Sequence, residues 1–155
     1  MAETVPALIP AESRLRSIAR EYGITGVFVN PALLGTKTKA QLLTEPDGRQ
    51  TIELRPDLDW LTRLLAVLHE IGHKVRNAEM ADDQDYRLAK LAIRFYHQHR
   101  DAGNPAIQWF EDLYRAEERI VNSWAFEALL HHFGPRYGRE EDFEARGFVF
   151  QHREL

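Results

Sequence analysis

The segment from Trp60 to Arg76 constrains this chain more than any other. Leu61, Leu64, Leu65, Leu68, Ile71 and Val75 recur at intervals of three and four, the period of a helix with a single apolar stripe. Asp57 or Asp59 is suited to cap its start. The same helix carries His69-Glu70-Ile71-Gly72-His73, an HExxH sequence. Residues four apart in a helix advance about 400°, so His69 and His73 lie about 40° apart and one turn up. Both imidazoles can therefore reach one metal ion. Glu70, beside His69, is placed to hold a water next to that ion rather than the ion itself. Zinc suits two imidazoles, and such sites use a water of lowered pKa as nucleophile. The bland alternative is a structural or surface role. It must accept two neutral imidazoles and a carboxylate near a core, which is costly unless something pairs them.

The rest of the chain supplies short elements around this helix. Leu15, Ile18, Ala19 and Tyr22 fall at helical spacing before Gly23 and predict a helix over 11–22. GVFV at 26–29 is a strand candidate. TKAQLLTE and RQTIELR flank the turn sequence EPDG, so 37–55 reads as a hairpin that Pro56 ends. Residues 83–100 predict a third helix, with Tyr86, Leu88, Leu91, Ile93 and Phe95 among its apolar members. Asp82, Asp83 and Asp85 suit the N-terminal end of that helix. Asn104 and Pro105 suit the cap and first position of a fourth helix, from about 105 to 132, stopped by Gly134-Pro135. RGFVFQH, near the end of the chain, reads as a short strand or an extended arm. The expected fold class is α+β, mostly helical, with a small antiparallel sheet before the HExxH helix. With 155 residues, no repeats and no dividing linker, the expectation is one domain over 1–155.

A third protein ligand has to come from another element, and the fourth helix offers Glu117 and Glu118. Its apolar face runs through Ile107, Phe110, Leu113, Tyr114, Val121, Trp124, Ala125 and Ala128. Glu117 falls nearer the centre of that face and Glu118 nearer its edge, so periodicity alone favours Glu117. Asn122, four residues after Glu118, favours Glu118. A metal-bound histidine usually gives its other ring N–H to an oxygen, which Asn122 can supply and Val121, four after Glu117, cannot. Glu118 is taken as the ligand, with Asn122 orienting a ligand histidine.

Composition removes other chemistries. There is no cysteine, so disulfides, thiolate metal sites and a cysteine nucleophile are excluded. The net charge is −4, and a protein that grips DNA through phosphate contacts usually carries a basic surplus. No direct nucleic-acid binding is expected, although a local basic patch stays open. No stretch approaches the ~18 uncharged apolar residues of a membrane span, and the N-terminus lacks a secretory pattern. A cytoplasmic protein without membrane contact is the simplest expectation.

HEIGH at 69–73, followed by Glu118-Arg-Ile-Val-Asn122-Ser-Trp124-Ala125, resembles the ImmA/IrrE metallopeptidase pattern HExGH … ExxANxFA. This is gluzincin logic, and the resemblance covers about residues 20–131. Val121 and Trp124 stand where the pattern has Ala and Phe. The separation of 45 residues from His73 to Glu118 is longer than the family pattern suggests, so about 77–104 reads as a helical insertion, a lid or a partner surface. The resemblance implies a zincin-like domain and a cytoplasmic zinc endopeptidase. It implies as partner a protein substrate, a helix-turn-helix transcriptional repressor or similar regulator, cut as part of a stress response. Three alternatives stand beside it. One is a SprT-like protease acting on DNA-bound proteins, which would want a third histidine and a basic segment. Another is a non-catalytic zinc domain that binds a repressor. The third is a toxin or interaction protein in which the inserted helix is the working part.

The remaining candidates divide less sharply. His97 and His99 point to different sides of a helix, and His131 and His132 close the fourth helix. One of the last pair, or Tyr114 or Tyr137, could donate to the oxyanion of peptide hydrolysis. Trp60, Trp109 and Trp124 read as core or groove wall. The strand over 49–55 is the expected open edge for an extended peptide substrate, with Thr51 as the position whose backbone donor matters.

Overall fold

Helix α2 (Trp60–Glu79) is the element around which the others assemble, touching helices and strands on several sides. The computed structural model describes residues 8–99, 107–135 and 138–151. Along the chain these form α1 (Leu8–Glu21), β1 (Ile24–Val29), β2 (Ala40–Thr44), β3 (Gln50–Leu54), α2, α3 (Gln84–His99), α4 (Ile107–Phe133) and α5 (Glu140–Glu144). The fold is α+β and mostly helical. Leu64, Leu65, Leu68 and Ile71 of α2 are all within 2% of full burial, as their spacing requires. Asp59 is the cap, its side chain accepting the Thr62 N–H at 2.9 Å. Asp57 instead pairs with Arg55.

The sheet order is β1-β3-β2. β2 and β3 form the expected hairpin, with Ala40 opposite Leu54 and Thr44 opposite Gln50. Its turn closes through Glu45 N–H to Arg49 carbonyl, and Gly48 adopts φ +90°, a conformation that glycine reaches without strain. β1 adds a third strand parallel to β3, so the sheet is mixed rather than purely antiparallel. β3 lies in the centre, paired with β2 on one side and β1 on the other, and carries the sheet's deepest apolar pair, Ile52 and Leu54. Glu53 ties both neighbours to it, accepting from Asn30 Nδ2 and Gln41 Nε2 at 2.9 Å each.

That order corrects the expectation that 49–55 is the open edge. Residues 39 and 45 exchange bonds with 55 and 49. By the alternation of an antiparallel ladder, Leu43 and Thr51 face each other in a hydrogen-bonded pair. Thr51→Pro would therefore break the hairpin ladder. The same alternation turns the N–H and C=O groups of Ala40, Leu42 and Thr44 away from β3. β1 and β2 are therefore the two edges of the sheet, and β2 lies against α2.

Asp83 caps α3, accepting the Tyr86 N–H at 2.9 Å. Tyr86 and Ile93 are buried, whereas Leu88 and Leu91 are more than half exposed. The helix packs on α4 through Phe95 on Phe110 and Tyr96 stacked on Tyr114. Helix α5, which carries no strong sequence signal, is anchored by the fully buried Phe143. After it, residues 148–151 form an extended arm rather than a strand. Phe148 and Phe150 are buried with Val149 exposed between them, and Gln151 N–H donates to Ser123 Oγ at 3.0 Å.

Helices α2 and α4 cross at Gly72. A Cβ there would lie 3.0 Å from both Val121 Cγ1 and Trp124 Cε3. The glycine inside the HExxH sequence thus sets how closely α4 approaches the two histidines. Gly72→Val is expected to destabilise the fold by about 2 kcal/mol through overpacking. It should also weaken metal binding by displacing α4. Thermal unfolding with and without added zinc measures both effects, and unchanged metal affinity would dissociate the crossing from the site.

Candidate metal centre

Helical spacing brings His69 and His73 together from α2. Their Nε2 atoms are 3.0 Å apart and their rings meet edge-on at 87°. From α4, Glu118 reaches across the crossing. Its Oε2 is 3.1 Å from His73 Nε2 and its Oε1 is 3.5 Å from His69 Nε2. In a tetrahedral site with bonds of roughly 2.0–2.1 Å, ligand atoms stand about 3.3 Å apart. The three observed separations bracket that edge length, the two to Glu118 running to its different oxygens, so the three groups converge at the spacing of a four-coordinate site. Glu70 competes with Glu118 on distance alone, because the ligand atoms of His69, Glu70 and His73 also fall within 4.8 Å of one another.

The tautomer of His69 follows from its neighbours. Asn122 is buried, and its Nδ2 donates to the Val149 carbonyl of the C-terminal arm at 2.8 Å. Its Oδ1 therefore faces His69 Nδ1, 2.5 Å away, and accepts the ring proton. That leaves the Nε2 lone pair directed at His73 and Glu118. The arm thus orients Asn122, and Asn122 orients the imidazole. Asn122→Ala is expected to lower metal affinity about 10–100-fold while the protein stays folded. Competition with a zinc chelator reads this, and full affinity in the variant would remove Asn122 from the site.

Glu70 sits beside this point rather than on it. Its Oε2 is 3.7 Å from His69 Nε2, and the backbone N–H of Leu42 on β2 is near enough to favour its charged form. Burial raises its pKa above the ordinary carboxylate range, and the negative Glu118 adds to this. The two imidazoles and the strand N–H oppose the rise without cancelling it. Glu118 behaves oppositely. Burial would raise it, but hydrogen bonds and charge from His69 and His73 hold it far below the usual range. Burial pushes His69 down, and Glu118, Glu70 and Asn122 together carry it above its ordinary value. Two similar carboxylates thus meet opposite environments one helix apart.

Glu117 is as deep in the α4 face as its periodicity indicates, 8% exposed. There it accepts from Arg76 Nε at 2.6 Å, and the guanidinium also covers the Tyr86 ring. It faces the turn after the histidines and stands outside the donor cluster. Tyr114, one turn before Glu118, points its hydroxyl at Glu118 Oε1 at 3.3 Å. Burial and the neighbouring carboxylate raise its pKa, so it is a proton donor. His97 lies edge-on to Tyr114 in the wall of the cleft, outside the donor group. His131 and His132 are at the far end of α4, about 20 Å along the helix from Glu118. Burial, with His131 alongside, lowers the pKa of His132. Tyr137 and the His99 side chain lie outside the described residues. Trp60 and Trp124 pack against the core, whereas Trp109 is 59% exposed and is no part of it.

Two contributions carry little sequence signal because they are backbone groups: the Leu42 N–H on Glu70 and the Val149 carbonyl on Asn122. The Tyr114 position has one, since i,i+4 spacing to Glu118 predicts adjacency. No helix among the described residues is long and apolar enough to cross a membrane. No protein-family model, curated protein or solved structure matches the chain.

Proposed function

We propose that this protein is a zinc-dependent endopeptidase in which His69, His73 and Glu118 hold the ion and Glu70 is the general base. One observation carries the reading. Two imidazole Nε2 atoms and the Glu118 carboxylate converge at 3.0–3.5 Å, with Glu70 Oε2 beside that point, 3.7 Å from His69 Nε2. Two imidazoles and one carboxylate, without thiolates, suit zinc, and three protein ligands leave a position open for chemistry. Zinc supplies Lewis acidity, which lowers the pKa of water and polarises a carbonyl oxygen.

The chain's own groups do the rest. Glu70 takes the proton of the attacking water and passes it to the leaving amine. The Tyr114 hydroxyl, turned away from Glu118 Oε1 by rotation about its C–O bond, donates to the oxygen on which charge develops. Asn122 holds His69 in one tautomer. A glutamate as the third donor supports a gluzincin over the SprT-like alternative, which wants a third histidine.

The substrate lies along β2 as an added strand, because Ala40 and Leu42 turn their backbone groups away from β3 and Ala40 lines the cleft that holds Glu70. Ala40→Pro removes one outward N–H without touching a ladder bond to β3. It is expected to slow cleavage of a protein substrate about tenfold with zinc content unchanged. Unslowed cleavage would remove β2 as the docking edge.

The resemblance to ImmA/IrrE peptidases supports a helix-turn-helix repressor, or a similar cytoplasmic regulator, as the protein cut. The test is to co-express the chain with a repressor encoded beside it and look for a single cut that requires Glu70. An intact repressor bound to the zinc-loaded protein would favour the non-catalytic binding domain.

A further inference from the structure

The donor group lies in a cleft of about 1420 Å³ walled by α2, α3, α4, the loop before β2 and the C-terminal arm. The chain as a whole is acidic, with a net charge of −4. The lining of this cleft has the opposite balance, six lysines and arginines against three glutamates. Two of those glutamates are Glu70 and Glu118 of the site, and the third, Glu117, is neutralised by Arg76 at 2.6 Å. Among the cations, Arg115 is paired with Glu111. Lys37, Lys39, Lys90, Arg94 and Arg119 have no ion pair among the described residues. Their positions follow a pattern. Lys90 and Arg94 stand one turn apart on α3, as do Arg115 and Arg119 on α4, so each helix offers a cationic row. Lys37 and Lys39 close the opposite side just before β2, with Lys39 Nζ held 5.3 Å over the Phe148 ring.

A concave surface lined by one sign of charge concentrates its field and attracts ligands of the other sign. With an ion balancing Glu70 and Glu118, the free cations are the uncompensated charge. We propose that the cleft selects an acidic polypeptide segment, with aspartates and glutamates on both sides of the bond presented to Glu70. A peptide fits better than a nucleic acid because the open edge of β2 offers alternating N–H and C=O groups, which an extended peptide backbone matches and a phosphodiester backbone does not. Helix α3 then has a task in the longer separation between His73 and Glu118, because it supplies Lys90 and Arg94. The inference rests on the peptidase reading for its substrate class, although binding alone can be measured without it.

The test uses zinc-loaded Glu70→Gln protein and four fluorescein-labelled probes: a short peptide with Asp and Glu flanking a central apolar pair, a Ser/Ala version, a Lys/Arg version, and an oligothymidylate. The acidic peptide is expected to bind about tenfold tighter than the Ser/Ala version, with the gap closing at high salt. Lys37→Glu with Arg94→Glu, two exposed positions on opposite walls, should erase the gap. Equal binding of the acidic and Ser/Ala peptides, a gap insensitive to salt, or tighter binding of the oligothymidylate would overturn the inference. Cleavage by the unmodified protein separates the two readings. Acidic peptides bound tightly with no peptide cut would remove the peptidase reading alone. Ser/Ala peptides cut as fast as acidic ones would remove the acidic selection alone.

Discussion

Glu70→Gln protein is expected to keep its full complement of zinc and its fold, and to lose hydrolysis by about 10²–10⁴-fold. The substitution is nearly isosteric. The amide keeps the size and shape of the carboxylate, so the side chain is expected to stay where it is. What it loses is the capacity to take a proton. In the proposed site the ion rests on His69, His73 and Glu118, so removing the Glu70 charge leaves the three donors in place. Elemental analysis beside a cleavage assay decides the matter. Zinc loss in this variant would make Glu70 a ligand, and retained cleavage would move the base elsewhere.

The second large effect is the contrast between two adjacent glutamates. Glu118→Ala, like His69→Ala or His73→Ala, is expected to strip most of the zinc, because two remaining protein donors make a weak site. Glu117→Ala should keep its zinc and lose stability instead, by about 2 kcal/mol, because it leaves the Arg76 guanidinium partly buried without its partner. The estimate sits below that for a fully buried pair because the Arg76 side chain is 24% exposed. Metal content and thermal unfolding of the two variants, side by side, separate the roles. Zinc loss on Glu117→Ala with retention on Glu118→Ala would reverse the assignment.

What could be read directly from the sequence is what short-range geometry controls. The stripe from Leu61 to Val75 defines α2, and i,i+4 spacing alone forces His69 and His73 onto one face. The EPDG turn with Gly48 defines the hairpin, because few residues tolerate its backbone there. Asp59 and Asp83 cap helices because their short side chains reach the nearby N–H groups. The spacing of Asn122 after Glu118 is of the same kind, since both project from one side of α4. The burial of Glu117 was legible in the same way, but its partner was not, because Arg76 lies on another helix.

Tertiary structure decided everything that depends on how far apart and in what order those elements stand. The periodicity of β3 and β2 is compatible with either at the edge. The central position fell to β3 only when β1 paired with it, so the open edge beside Glu70 is β2. A helical wheel gives the phase of Glu118 about its own axis but not the distance to α2, which the crossing at Gly72 sets. The arm that orients Asn122 acts through a backbone carbonyl, and every residue has one. Net charge is likewise a sum over the whole chain, and it hid a cleft where cations from α3, α4 and the loop before β2 converge. Local periodicity determines which face a residue occupies, whereas packing between distant segments determines what that face meets.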